Sequence, residues 1–125
     1  SIPDELLAAG QFTFLGRGGT VGLAHGAARR MREAAQGWTE SYPAMEYRHG
    51  PIAIAAPGRV TWLLGTEPAG LSRDVHAAGA RFEATGRHPL AELVRIHRLS
   101  LERALAAGLD PDSPRNLTRS VILAG

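Results

Sequence analysis

The 125-residue chain contains no cysteine and no lysine. Without cysteine there is neither a disulfide framework nor a thiolate metal site, which fits a reducing compartment. Without lysine, imine chemistry with a carbonyl substrate is excluded for this chain. All 14 basic residues are arginine, whose guanidinium stays protonated and forks onto carboxylate or phosphate. Aromatics make up only 6% of the chain, and the arginines are spread among 12 acids with no long basic block. Nucleic-acid binding wants a clustered basic face and stacking aromatics, so that class is set aside. No apolar run approaches the roughly 18 residues that span a bilayer, and the first residues do not read as a secretory signal. The expected location is the cytoplasm. The chain opens on Ser1 rather than Met, which reads as a fragment or a processed product.

What is present is a chain 44% hydrophobic, enough for one core and one domain. Pro3 to Ala9 reads as the end of a helix, and Phe12 to Leu15 as a short apolar strand. Gly16-Arg17-Gly18-Gly19-Thr20 is a tight turn with Thr20 a candidate N-cap. From Val21 the pattern is helical: Ala24, Ala27, Ala28, Met31 and Ala35 form a stripe of small residues suited to lying close against a sheet. Gly37 is expected to end that helix. Further strands are predicted over Trp38–Tyr42, Val60–Leu64 and Ala80–Ala84. A single helical turn fits 45–50, and Ile52–Ala55 is left open. One helix is expected to start at Glu67-Pro68 and carry Leu71 and Val75 inward. The longest runs from Pro89 to near Gly108, and Val121–Leu123 is a last extended piece. Strands alternating with helices imply a three-layer α/β fold, a doubly wound, mostly parallel sheet covered on both faces. Ligands in such folds sit beyond the carboxyl ends of the strands, where the Gly16–Thr20 turn and Pro43–His49 both fall.

Three places carry candidate chemistry. The turn at Gly16, Gly18 and Thr20 fails as a dinucleotide fingerprint, because Val21 stands where a third small residue belongs and no acid closes the second strand. It remains either a generic anion site at a helix N-terminus or a turn that simply needs glycine. Glu33 lies opposite the alanine stripe, on the side of Gly22 and Gly26, so little bulk stands above its carboxylate. That side is either a groove admitting a ligand or a second backbone, or a solvated surface with Glu33 paired to Arg29 at helical spacing. Glu46 and His49 share a face if their turn is helical, and His49 is suited to acid–base work near neutrality. Fewer than three ligands come together around them, so no metal is expected. The long helix carries Leu90, Leu93, Val94, Leu101, Ala104 and Leu105 on one flank and Ile96 and Leu99 on another. So wide an apolar surface predicts burial on two sides, in the core or in a dimer.

The run Phe14-Leu15-Gly16-Arg17-Gly18, then Met31-Arg32-Glu33, then Glu40 to Pro51 with its Glu-x-x-His-Gly-Pro sequence, resembles the SIS (sugar isomerase) domain family. Within it the likeness is to the C-terminal SIS domain of glucosamine-6-phosphate synthase-like phosphosugar isomerases and deaminases. The tail Pro114-Arg115-Asn116-Leu117-Thr118-Arg119-Ser120-Val121 is similar to that family's C-terminal tail. The resemblance covers about Phe12 to Leu123. It implies a flavodoxin-like SIS domain over 12–125 preceded by a linker or helix end over 1–11, a first SIS domain upstream, and a homodimer with a sugar phosphate or amino-sugar phosphate between lobes. It places a general base at Glu33, a ring-opening histidine at His49 supplied to the neighbouring subunit's site, and substrate contacts at Arg30, Thr118 and Arg119. It implies no cofactor. Gly26-Ala27 replaces the family's Glu-Gly pair, and arginine replaces lysine at 30 and 119, so the chain looks closer to the broader isomerase, deaminase and deglycase relatives than to the synthase. The family's Ser/Thr-rich phosphate loop has no counterpart here. The expected function is therefore half of an enzyme for aldose–ketose isomerisation or amino-sugar-phosphate deamination, by proton transfer between C1 and C2. The alternative is a non-catalytic phosphosugar-binding module for sensing or assembly.

Overall fold

The computed structural model describes residues 2–84, 86, 88–110 and 112. Strand β1 (Gln11–Gly16) is buried along its whole length, the signature of a central parallel strand covered on both faces. It pairs in parallel with β2 (Trp38–Pro43) on one side and β3 (Arg59–Leu64) on the other, and β3 pairs in parallel with the short β4 (Arg81–Glu83). The sheet order is β2-β1-β3-β4. Alternate side chains of the strands point to opposite faces. Phe12, Phe14, Val60, Trp62 and Leu64 pack with α1 (Asp4–Ala8), α2 (Val21–Ala35) and α5 (Pro89–Ala106). Leu15 and Leu63 pack with α3 (Ala44–Tyr47) and α4 (Leu71–Ala77) on the other face. The result is the expected three-layer α/β domain with, among the described residues, an all-parallel sheet.

The small-residue stripe behaves as its spacing requires. Ala24, Ala27, Ala28 and Met31 are fully buried against the sheet, and only small side chains let a helix lie that close. Phe12 and Phe14, two apart on β1, stack with ring centroids 6.0 Å apart. Helix α1 belongs to the same body: Leu6 and Ala9 are in the core, and the Arg103 guanidinium donates to the Leu6 carbonyl at 3.2 Å and the Leu7 carbonyl at 2.7 Å. These are carbonyls of the last helical turn, which lack intrahelical partners.

Several local expectations are corrected. Thr20 does not cap α2 with its side chain. Its hydroxyl instead accepts the Arg17 N–H at 2.8 Å and lies 2.5 Å from the Leu64 carbonyl, bolting the β1–α2 turn to the end of β3. The left-handed residue closing α2 is Gln36, at φ 55°, not Gly37. Helix α4 starts at Leu71 rather than at Pro68, because Gly70 takes φ 79° and the preceding residues close a turn, with the Leu71 N–H on the Pro68 carbonyl at 3.1 Å. Glu67 still serves that helix, accepting the Ser72 N–H at 3.1 Å. Pro51–Ile54 forms a short 3-10 turn. On α5 the flank that reaches the core is Ile96, Leu99 and Ala104, whereas Leu90, Val94, Leu101 and Leu105 are 42–64% exposed in the single chain. Val121–Leu123 lies outside the described residues.

Buried polar groups decide how α5 sits. Arg95 bridges Glu83 at 3.0 Å and Glu92 at 2.9 Å, and Arg81 joins Glu83 at 2.9 Å. Both acids are almost wholly buried, so each needs its arginine there. The Arg95 guanidinium also lies 5.2 Å from the Trp62 ring centroid, which fixes α5 over β3.

Candidate active site

The register puts Gly16 beside Pro43 of β2 and Leu64 of β3, so the β1–α2 turn and the segment after β2 share the carboxyl edge of the sheet, as expected. Gly16 is there for a steric reason. A Cβ at that position would stand 2.3 Å from the Thr20 carbonyl oxygen, which no larger residue tolerates. Gly18 adopts φ 57°, a conformation glycine takes without strain. Thr20's hydroxyl is spent inside the loop, so it presents no free group to an anion.

With its stripe against the sheet, α2 turns Gly22, Gly26, Arg29, Arg30 and Glu33 outward. A groove of about 300 Å³ runs between this face and α5, completed by Leu93 and His97. A Cβ at Gly22 or Gly26 would meet no atom within 4 Å, so the groove is open above both glycines. The opening inferred from helical spacing is therefore present, and so is the surface pair. Glu33 Oε1 lies 3.6 Å from Arg29 Nε, with side-chain exposures of 48% and 75%. Arg30 is exposed and forms no ion pair among the described residues.

His97 is the residue that sequence reading missed. It has no ligand spacing with the Glu46–His49 pair, and only the packing of α5 on α2 brings it to the groove. The signal that could have found it is its position four residues after Leu93, on the same side of α5. It makes no hydrogen bond or ion pair with any described residue. Burial, and secondarily the positive charge of Arg30, hold its imidazole below the usual histidine range.

His49 lies elsewhere. Helix α3 ends at Tyr47, so Glu46 and His49 are joined not by a shared helical face but by a turn, the His49 N–H donating to the Glu46 carbonyl at 3.1 Å. His49 is exposed and does not line the groove. Its loop is nevertheless fixed. Tyr47 is buried with its hydroxyl 2.9 Å from Thr61 Oγ1, and Arg48 bridges Asp74 at 3.0 Å and donates to the Ala69 carbonyl at 2.6 Å. Thr118 and Arg119 lie outside the described residues. Among the described residues no cluster of three or more histidine, aspartate or glutamate side chains is placed to hold a metal ion. No helix among them is long and apolar enough to cross a membrane.

The parallel sheet, the glycine turn at its carboxyl edge and the close-packed α2 make a doubly wound α/β domain, and this domain resembles the SIS-type (sugar isomerase) domains of phosphosugar enzymes. In sequence it is similar to the glutamine–fructose-6-phosphate aminotransferase (isomerizing) of Aeropyrum pernix, 30% identical over 145 alignment positions that take in 93% of this chain and 24% of that protein. The chain thus spans about a quarter of the length of the curated relatives it matches. In structure it is similar to glucosamine-6-phosphate deaminase of Thermotoga maritima, with TM-score 0.78, 23% identity, and 88% of this chain and 40% of that one covered. It is also similar to the C-terminal domain of the glucosamine-fructose-6-phosphate aminotransferase of Francisella tularensis, with TM-score 0.69, 21% identity, and 86% and 39% covered. No protein-family model matches the sequence.

Proposed function

We propose that this chain is the C-terminal SIS half of a double-SIS enzyme acting on a sugar phosphate or amino-sugar phosphate. The reaction moves a proton between C1 and C2, as aldose–ketose isomerisation or as deamination of an amino-sugar phosphate. The observation that carries the reading is Glu33 at the rim of a glycine-lined groove, with the unpaired Arg30 one turn earlier on the same helix. The names of the relatives support the substrate class. In this reading the Glu33 carboxylate takes a proton from one carbon and returns it to its neighbour, through an enediol. Arg30 supplies positive charge where an enediolate oxygen or a phosphate comes to lie. Thr118 and Arg119 of the tail contact the same substrate. His49, outside the groove, serves ring opening in the neighbouring subunit of a homodimer, and the first SIS domain upstream holds the phosphate. The Arg29–Glu33 pair favours a second reading, a phosphosugar-binding module without catalysis, in which Glu33 is only a surface carboxylate.

Glu33→Gln in the intact protein separates the two. Loss of a positioned general base lowers turnover by roughly two to four decades, while substrate affinity changes far less, because the loss belongs to the transition state. Mixing Glu33 and His49 variants after subunit exchange restores activity, since one site of each mixed dimer is whole. Unchanged turnover in Glu33→Gln returns Glu33 to the surface role.

A further inference from the structure

We propose that His97 is a substrate-contacting residue of the Glu33 groove, its imidazole hydrogen-bonding a hydroxyl or the carbonyl oxygen of the sugar. The inference rests on the phosphosugar reading above and extends it to the other wall of the groove. Every group already considered for the chemistry stands on the β1–α2 turn, on α2, on the α3 loop or in the tail. His97 comes from α5 and faces the groove across from Gly22, Gly26, Arg30 and Glu33.

Four observations bear on it. The imidazole is half-buried and has no partner among the described residues, although a ring with a donor and an acceptor is normally satisfied when it leaves water. The open space above Gly22 and Gly26 lets a ligand, rather than a protein side chain, approach it. Leu93, one turn earlier on α5, lines the same wall, and an apolar patch beside a polar donor suits a sugar, which has C–H faces between its hydroxyls. The last observation is charge. The groups facing His97 are the cations Arg29 and Arg30 and the carboxylate Glu33. Burial and Arg30 both disfavour the imidazolium, so the ring is neutral near pH 7. A neutral imidazole brings no positive charge to an anion, but offers one N–H donor and one nitrogen acceptor to an uncharged oxygen. The groove so divides its work: arginine for negative charge that comes to lie there, histidine for the uncharged oxygens of the sugar.

The test follows the imidazole directly in the 125-residue chain, by long-range ¹H–¹⁵N correlation of the histidine rings during titration to millimolar ligand. The probes are fructose 6-phosphate, glucosamine 6-phosphate and inorganic phosphate. The expected result is that both sugar phosphates shift the His97 ring nitrogens and the Gly22 and Gly26 amides, while inorganic phosphate leaves the His97 ring unmoved. His97→Phe lowers sugar-phosphate affinity about fivefold, the usual worth of one hydrogen bond to an uncharged group, and leaves inorganic phosphate unaffected. His97→Gln, which keeps a donor and an acceptor, recovers most of the loss. Sugar phosphates that move the Gly22 and Gly26 amides but not the His97 ring overturn the assignment of His97 and leave the groove reading standing. If neither sugar phosphate moves any groove residue, the groove reading fails and takes the proposal with it.

Discussion

Glu33 and His97 face the same groove, yet only one of them was visible in the sequence. The position of Glu33 follows from rotation by about 100° per residue away from a clear alanine stripe, and the glycines at 22 and 26 mark the same side. His97 depends on which flank of α5 meets α2, and that is settled by tertiary packing. Its environment has a measurable consequence. Its folded-state pKa lies below the ordinary value of 6.5, through burial and Arg30. As pH falls through and below that value, the unfolded chain takes up the proton first. The stability His97 contributes is therefore present above the unfolded pKa and is lost as pH falls toward the folded one. The urea midpoint of the wild type should drop on going from neutral to mildly acidic buffer. His97→Asn should show a smaller drop, since the other histidines remain in both proteins. Equal drops would mean that His97 titrates alike in both states.

At the scale of elements, β1, α2, β3 and α5 were legible because each carries a clear periodicity or apolar run. The start of α4 was not. Pro68 fits a first helical turn in principle, but Gly70 turns left-handed and resets the helix to start at Leu71. Helix α5 was legible as a helix and ambiguous as to face, since both flanks are apolar. The buried Glu83–Arg95–Glu92 cluster chooses the flank, a pairing across elements that no local pattern reveals. Opposite effects follow for the two flanks. Ile96→Ala, deleting part of a fully buried side chain, should cost about 2–5 kcal/mol in urea unfolding. Leu101→Glu lies on the exposed flank and should change folding stability by about 0.5 kcal/mol or less. In sedimentation, the wild type should self-associate at high micromolar concentration and Leu101→Glu should not. A wild type that stays monomeric removes the dimer reading of that flank, and a large folding loss in Leu101→Glu contradicts its exposure.

For the molecule as a whole, α2 and α5 form the groove's walls, and the Ser/Thr-rich phosphate loop that the resemblance implies has no counterpart in the sequence. The 125-residue chain alone should therefore bind hexose 6-phosphates weakly and turn over none, and measurable isomerisation by this chain alone would defeat the two-lobe reading. The order in which the parts are made also matters. During synthesis β1 leaves the ribosome before either of its neighbours, carrying Phe12 and Phe14, and Trp62 follows on β3. The helix that brings Arg103 to 4.8 Å from the Phe12 ring centroid and Arg95 to 5.2 Å from that of Trp62 is the last of the described elements to emerge. A nascent chain halted before Pro89 holds an aromatic sheet face that α2 only partly shelters, together with Glu83 still lacking its contact to Arg95. Burial of that aromatic face thus waits on translation of α5, the last of the described helices.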